Sequence, residues 1–118
     1  MSCRLTSRIV SGVAVVDLSG KLRFLEFGLR DEIQKLLAQG HREFVLNLTD
    51  VSYIDSFGLG QLISNWTSIQ RVGGSMTLLR PTPEVRKLFA ITKLDTVFTI
   101  GDEQHYISGQ GQIVTISA

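Results

Sequence analysis

Apolar and polar positions follow two rhythms along this chain, and each change of rhythm marks a new element. Leu5 to Val10 alternates loosely and runs into Ser11-Gly12, a turn pair; Val13 to Leu18 is nearly continuous in apolar residues and is closed by Ser19-Gly20. Together they predict an antiparallel hairpin whose second strand lies deep in a sheet. From Leu25 the interval becomes helical: Leu25, Leu29, Ile33, Leu36 and Leu37 recur with Arg30, Asp31, Glu32, Gln34 and Lys35 between them. Gly40 then suits the position just past a helix end, where a left-handed conformation is needed. Phe44 to Leu48 predicts a third strand. A second helical stripe follows on Leu59, Leu62, Ile63, Trp66 and Ile69, ending near Arg71-Val72-Gly73-Gly74. Met76 to Leu79 predicts a fourth strand. Thr82-Pro83-Glu84 opens a third helix with a cap, a first-turn proline and a carboxylate at the positive end of the dipole, and Val85, Leu88 and Phe89 form its apolar face. Val97 to Ile100 predicts a fifth strand.

The pattern then loosens. Glu103 to Ile107 reads as a helical turn or loop, Gly109-Gln110-Gly111 as flexible, and Ile113 to Ile116 as an edge strand. Strands alternating with helices place the chain in the α/β class, with parallel strands joined by right-handed crossovers. The opening hairpin makes the sheet mixed but mostly parallel, with three or four helices packed on it. One domain covers residues 1–118, with a core at about 5–101 and a C-terminal extension at 102–118 whose structure the pattern leaves open. Strand order is also left open.

Composition narrows the classes of function. The 118 residues are 43% hydrophobic and 19% charged, a globular balance, and carry a formal charge of +1. That balance creates no field suited to nucleic acid or an anionic membrane. No apolar run nears the roughly 20 residues that span a bilayer, and Met1-Ser2-Cys3-Arg4 does not read as a signal peptide. Cys3 is the only cysteine, which excludes an internal disulfide and a thiolate metal cluster and fits a reducing, cytoplasmic setting.

The chemistry concentrates where the third strand meets the second helix. Asp55-Ser56 falls at the helix start, where backbone N–H groups lack partners and attract negative charge. Either side chain is a candidate cap, but Leu59 stands where a capping box would have glutamate. Gly58 and Gly60 in the first turn cost about 1 kcal/mol each relative to alanine, which points to a close approach by neighbouring structure or a partner. A phosphate on Ser56 would add about −1.5 to −2 charges, favoured by the helix end and opposed by Asp55 and Asp50. Such a change alters the surface without refolding the chain.

The run Leu46 to Gly60 resembles the signature of STAS domains, the family of bacterial anti-sigma factor antagonists, and Val13 to Leu22 resembles that family's second strand and following turn. The resemblance covers about residues 5 to 101. It implies that Ser56 is phosphorylated by a partner that is both serine kinase and anti-sigma factor. The unmodified protein would bind that partner and free sigma, phosphorylation would release it, and a metal-dependent Ser/Thr phosphatase would reset the cycle. ATP and metal would then belong to the partners, and this chain would carry no cofactor. The expected partner surface holds Asp55, Phe57 and Gly58, joined by Arg23, Phe24 and Phe27. Phe24 and Phe27 read more readily as packing beneath the loop into the first helix than as partner anchors. Phe57 stands where the family usually has serine or threonine, Arg23 where aspartate is common, and Asn47 where the strand often has aspartate. A non-switching interaction module, in a signalling scaffold or transport complex, is the alternative. Whether two copies pair as a homodimer is open.

Other residues support blander roles. Trp66 sits on an apolar stripe and reads as core. His41 and His105 lack metal-ligand spacing. Arg71, Arg80, Arg86 and Lys87 read as solvated faces. Catalysis by Ser56 would require a neighbouring base, and no histidine or lysine is placed locally to serve. Gly73-Gly74 precedes a strand, not a helix, so it is no phosphate loop.

Overall fold

The computed structural model describes residues 3–22, 28–101, 105–107 and 113–116. Its main sheet contains β1 (Cys3–Val10), β2 (Val13–Leu22), β3 (Glu43–Ile54), β4 (Ser75–Leu79) and β5 (Thr99–Gly101), in that spatial order. The helices between them are α1 (Leu29–Ala38), α2 (Ser56–Arg71) and α3 (Pro83–Ile91), and β6 (His105–Ile107) pairs with β7 (Ile113–Thr115) in a separate two-stranded sheet. β1 is antiparallel to β2 and every later neighbour in the main sheet is parallel, so the architecture is the mixed α/β sheet expected.

The opening hairpin turns on Ser11 and Gly12, both at positive φ (50° and 83°), as a two-residue turn matched to strand twist requires. Ser19-Gly20, expected to end the second strand, does not. Gly20 takes φ 90° and the pairing with β3 shifts register at Asp17/Ser19 and Gly20/Lys21, a bulge through which β2 continues to Leu22. That continuation lengthens β3 as well. Instead of stopping at Leu48, β3 finds partners as far as Ile54, with Ser19 opposite Asp50 and Leu22 opposite Ile54.

α1 begins at Leu29, and Leu25 lies outside the described residues. Its end is closed as expected: Gly40 has φ 96°, its N–H donates to the Leu37 carbonyl (3.0 Å), and the His41 N–H donates to that of Leu36 (3.0 Å). At α3 the Thr82 hydroxyl accepts from the Val85 N–H (3.4 Å) and donates to the Val51 carbonyl (3.1 Å), tying the helix to β3. The fifth strand starts later than expected. The N–H groups of Val97 and Phe98 donate back to the Leu94 carbonyl (3.0 and 2.9 Å), so pairing with β4 begins only at Thr99. Phe98 instead packs edge-on against Phe89, with centroids 5.7 Å apart.

The sheet buries both faces. Ala14, Val16, Leu18, Phe44, Leu46, Leu48, Met76 and Leu78 point toward the helices and meet Leu29, Ile33, Leu36, Leu59, Leu62, Ile69, Val85 and Phe89. Trp66 and Leu88 pack at the edge of this core. The intervening residues Val13, Val15, Val45 and Leu79 point the other way and are covered by Val114 and Ile116. The described residues 105–107 and 113–115 therefore neither extend the main sheet nor form a helical turn. The expected edge strand at Ile113 to Ile116 is β7, and part of the predicted loop, His105 to Ile107, is its partner. Glu103 and Gly109-Gln110-Gly111 lie outside the described residues.

On the helix-free face the strands carry a polar chain. Arg8 grips both carboxylate oxygens of Asp17 (2.8 and 3.2 Å), and the Asn47 amide donates to Asp17 Oδ1 (2.8 Å). Asn47 Oδ1 accepts from the N–H and hydroxyl of Thr49 (3.2 and 2.6 Å). Arg80, expected on a solvated face, is half-buried at φ 48° and donates to Thr49 Oγ1 (3.0 Å) and to the Ile116 carbonyl (3.4 Å). At 4% exposure, Asn47 is the buried centre of this chain. Asn47→Ala should lower unfolding free energy by about 1–3 kcal/mol, because Asp17 and Thr49 each lose a partner. The check is a lower urea midpoint at unchanged slope; an unchanged midpoint would deny the network any role in stability.

Candidate functional site: the mouth of the second helix

Asp55 alone separates β3 from α2. Its backbone is extended (φ −90°, ψ −179°), and its Oδ1 accepts from the Gly58 N–H at 2.7 Å. The carboxylate is therefore the cap, which resolves the choice the sequence left between Asp55 and Ser56. The Asp55 N–H donates to the Leu22 carbonyl (3.3 Å), so the end of β2, reached only through the Gly20 bulge, anchors the helix mouth.

Ser56 is the first residue of the helix. It is exposed, and its hydroxyl makes no hydrogen bond among the described residues. The neighbouring cap does not depend on that hydroxyl.

The two first-turn glycines differ. A Cβ on Gly58 would lie 2.6 Å from the Leu22 carbonyl oxygen and 2.9 Å from Ile54 Cγ2, so here glycine permits the close approach of helix to strand. Gly60 has nothing within 4 Å of that position. Packing does not require the second glycine; it lies open on the outer surface.

At about 100° per residue, Ser56, Phe57, Gly60, Ile63 and Ser64 share the outer face of α2. Phe57 is 60% exposed and Ile63 38%. Ile63 was expected in the buried stripe; the helix instead buries Asn65, whose amide donates to the Gln61 carbonyl (2.7 Å). Ser56, Phe57, Gly60, Gln61 and Ser64 line a recess of about 270 Å³ together with Arg30 from α1. Arg30, Gln61, Ile63 and Ser64 belong to this surface and were missed by sequence reasoning. Spacing along α1 puts Arg30 between apolar positions but carries no sign that it faces α2.

Of the expected surface residues, Asp55 and Phe57 flank Ser56 at the turn, whereas Gly58 is not at the surface: it is buried where the helix meets Leu22 and Ile54. Arg23, Phe24 and Phe27 lie outside the described residues. Among the described residues, the recess lining includes no histidine, lysine or carboxylate to serve Ser56 as a base. No cluster of three or more metal-ligating side chains occurs among the described residues. A larger groove of about 550 Å³ lies over β1 to β3, lined by Arg4, Arg8, Asp17, Asn47 and Asp50 among others. Much of its polar floor is the bonded Arg8–Asp17–Asn47 chain, so those groups hold strands together and are not poised for a ligand.

These features define an α/β domain with a mixed sheet, one face packed by three α-helices among the described residues, and an exposed serine at a helix mouth. Residues 4–106 match the STAS domain family, and the chain belongs to that family. A Thermotoga neapolitana chain is 37% identical over 68 residues, which cover 58% of this chain and 60% of that one. The anti-sigma-B factor antagonist of Bacillus subtilis is 35% identical over 72 residues, covering 61% and 65%. The matched stretches thus span less than two thirds of these relatives' own length. Among solved structures, the Bacillus cell fate determinant SpoIIAA in its phosphorylated form superposes with a TM-score of 0.67 at 25% identity, covering 85% of this chain and 93% of that one. No helix among the described residues is long and apolar enough to cross a membrane.

Proposed function

We propose that this chain is a cytoplasmic anti-sigma factor antagonist, a binding protein and not an enzyme, whose association is switched at Ser56. The observation that carries this reading is the division of labour at the helix mouth: Asp55 holds the cap and leaves the Ser56 hydroxyl exposed and uncommitted. The names of its relatives supply the partner class. Unmodified, the outer face of α2 docks on an anti-sigma factor that is also a serine kinase, with Asp55 and Phe57 at the contact and Gly58 seating the helix on the strands beneath them, and sigma is released. The kinase moves the γ-phosphoryl group of ATP onto Ser56 Oγ; ADP leaves and the hydroxyl proton is lost. A Ser/Thr phosphatase hydrolyses the ester with water and restores the hydroxyl.

Incubation with the cognate kinase and ATP should add one phosphate to the wild-type chain and none to Ser56→Ala, read by intact mass. Undiminished incorporation in Ser56→Ala would refute the assignment. Ser56→Asp should weaken partner binding with little change in thermal midpoint, because the cap survives; equal affinity of wild type and Ser56→Asp would sink the switch.

The bulky, largely exposed Phe57 ring beside the acceptor favours one second reading, a non-switching STAS interaction module. Recovery of the chain on transporter or scaffold components, with Ser56 unmodified, would favour that module.

A further inference from the structure

The charge that faces Ser56 comes from a different helix. Among the described residues, Arg30 is the one charged side chain lining the Ser56 recess, and it makes no hydrogen bond or ion pair with any of them. Nearby acids on α1 do not occupy it. Glu32 accepts from the Ser7 hydroxyl (2.6 Å) and pairs with Lys35 (3.4 Å), while Asp31 is the next residue along and so projects from a different side of the helix. At the helix mouth itself, the Gly58 N–H already belongs to Asp55. A phosphate on Ser56 would thus meet the Asp55 carboxylate beside it and the guanidinium of Arg30 across the recess.

We propose that Arg30 is the positioning residue that receives the phosphate on Ser56, bridging α1 to α2 in the modified protein. This rests on the reading of Ser56 as the modified residue. The guanidinium fork matches phosphate oxygens in two parallel charge-assisted bonds. Pairing has a consequence for docking. Before modification Arg30 presents a positive charge beside Phe57; afterwards that charge is paired and the phosphate, which brings about −1.5 to −2, leaves the pair net negative. A partner that uses an acidic group to hold Arg30 then loses its hold and meets repulsion at the same spot.

The test needs no kinase. Phosphoserine is installed at position 56 of the full chain during translation, and the ³¹P resonance is titrated with pH in the Arg30 protein, Arg30→Gln and Arg30→Lys. A neighbouring cation favours the doubly charged phosphate, so the apparent second pKa should rise by roughly 0.5 unit or more in Arg30→Gln. Arg30→Lys should recover part of the difference, and molar salt should shrink it. Coincident titration curves for the Arg30 and Arg30→Gln proteins, both folded by circular dichroism, would overturn the pairing. Failure of the Ser56 reading itself would show separately, as an unmodified Ser56 in protein recovered from its own host under every growth condition, whatever the titration gives.

Discussion

Replacing Gly58 with valine is expected to lower the unfolding free energy by about 2–3 kcal/mol and to weaken partner binding at the same time. The added Cβ would sit 2.6 Å from the Leu22 carbonyl oxygen and 2.9 Å from Ile54 Cγ2. The first of these is backbone, held in place because it accepts the Asp55 N–H, so relief requires α2 to move away from the strand ends. That movement carries Ser56 with it. Gly60→Ala is the contrast. With nothing within 4 Å of its Cβ, it should raise stability by up to about 1 kcal/mol through the ordinary helix preference. If a partner seats on the outer face of α2, the same variant binds less tightly despite being more stable. Urea unfolding of the two variants beside the wild type checks both. A Gly58→Val protein as stable as wild type would mean that helix and strand do not approach as closely as described.

Ile116→Ala should cost about 2–4 kcal/mol, a large effect for a residue so near the end of the chain. Ile116 is fully buried, and with Val114 it covers Val13, Val15, Val45 and Leu79 on the helix-free side of the sheet. Its carbonyl also accepts from Arg80. The family match ends at residue 106, so this cover lies beyond the shared domain and is supplied by the chain's own extension. Truncation after residue 112 should expose those four aliphatic side chains and raise binding of an apolar dye such as ANS. Unchanged thermal midpoints in both variants would show that the second sheet face is adequately covered without β7.

Much of this was legible in local pattern. The turn at Ser11-Gly12, the left-handed close of α1 at Gly40 and the Thr82-Pro83 start of α3 are each a residue type answering a backbone requirement within a few positions. The Asp55-Ser56 junction was legible for the same reason. Errors arose where a distant segment decides the outcome. Ser19-Gly20 carries the local mark of a strand end, yet β2 continues because β3 lies alongside to pair with it. Ile63 has the apolar character of a core residue, but the depth at which α2 meets the sheet turns Asn65 inward in its place. His105 to Ile107 has too few residues to show a period, and becomes a strand only because β7 returns to meet it.

From the sequence alone came the α/β class, the helix ends and the serine poised at a helix mouth, because these depend on side-chain chemistry acting over one or two turns of chain. Tertiary structure alone decided the strand order, the choice of Asp55 over Ser56 as cap, the cover provided by Val114 and Ile116, and the placement of Arg30 in the Ser56 recess. Each of these joins residues brought together only by packing, whose geometry no local periodicity encodes.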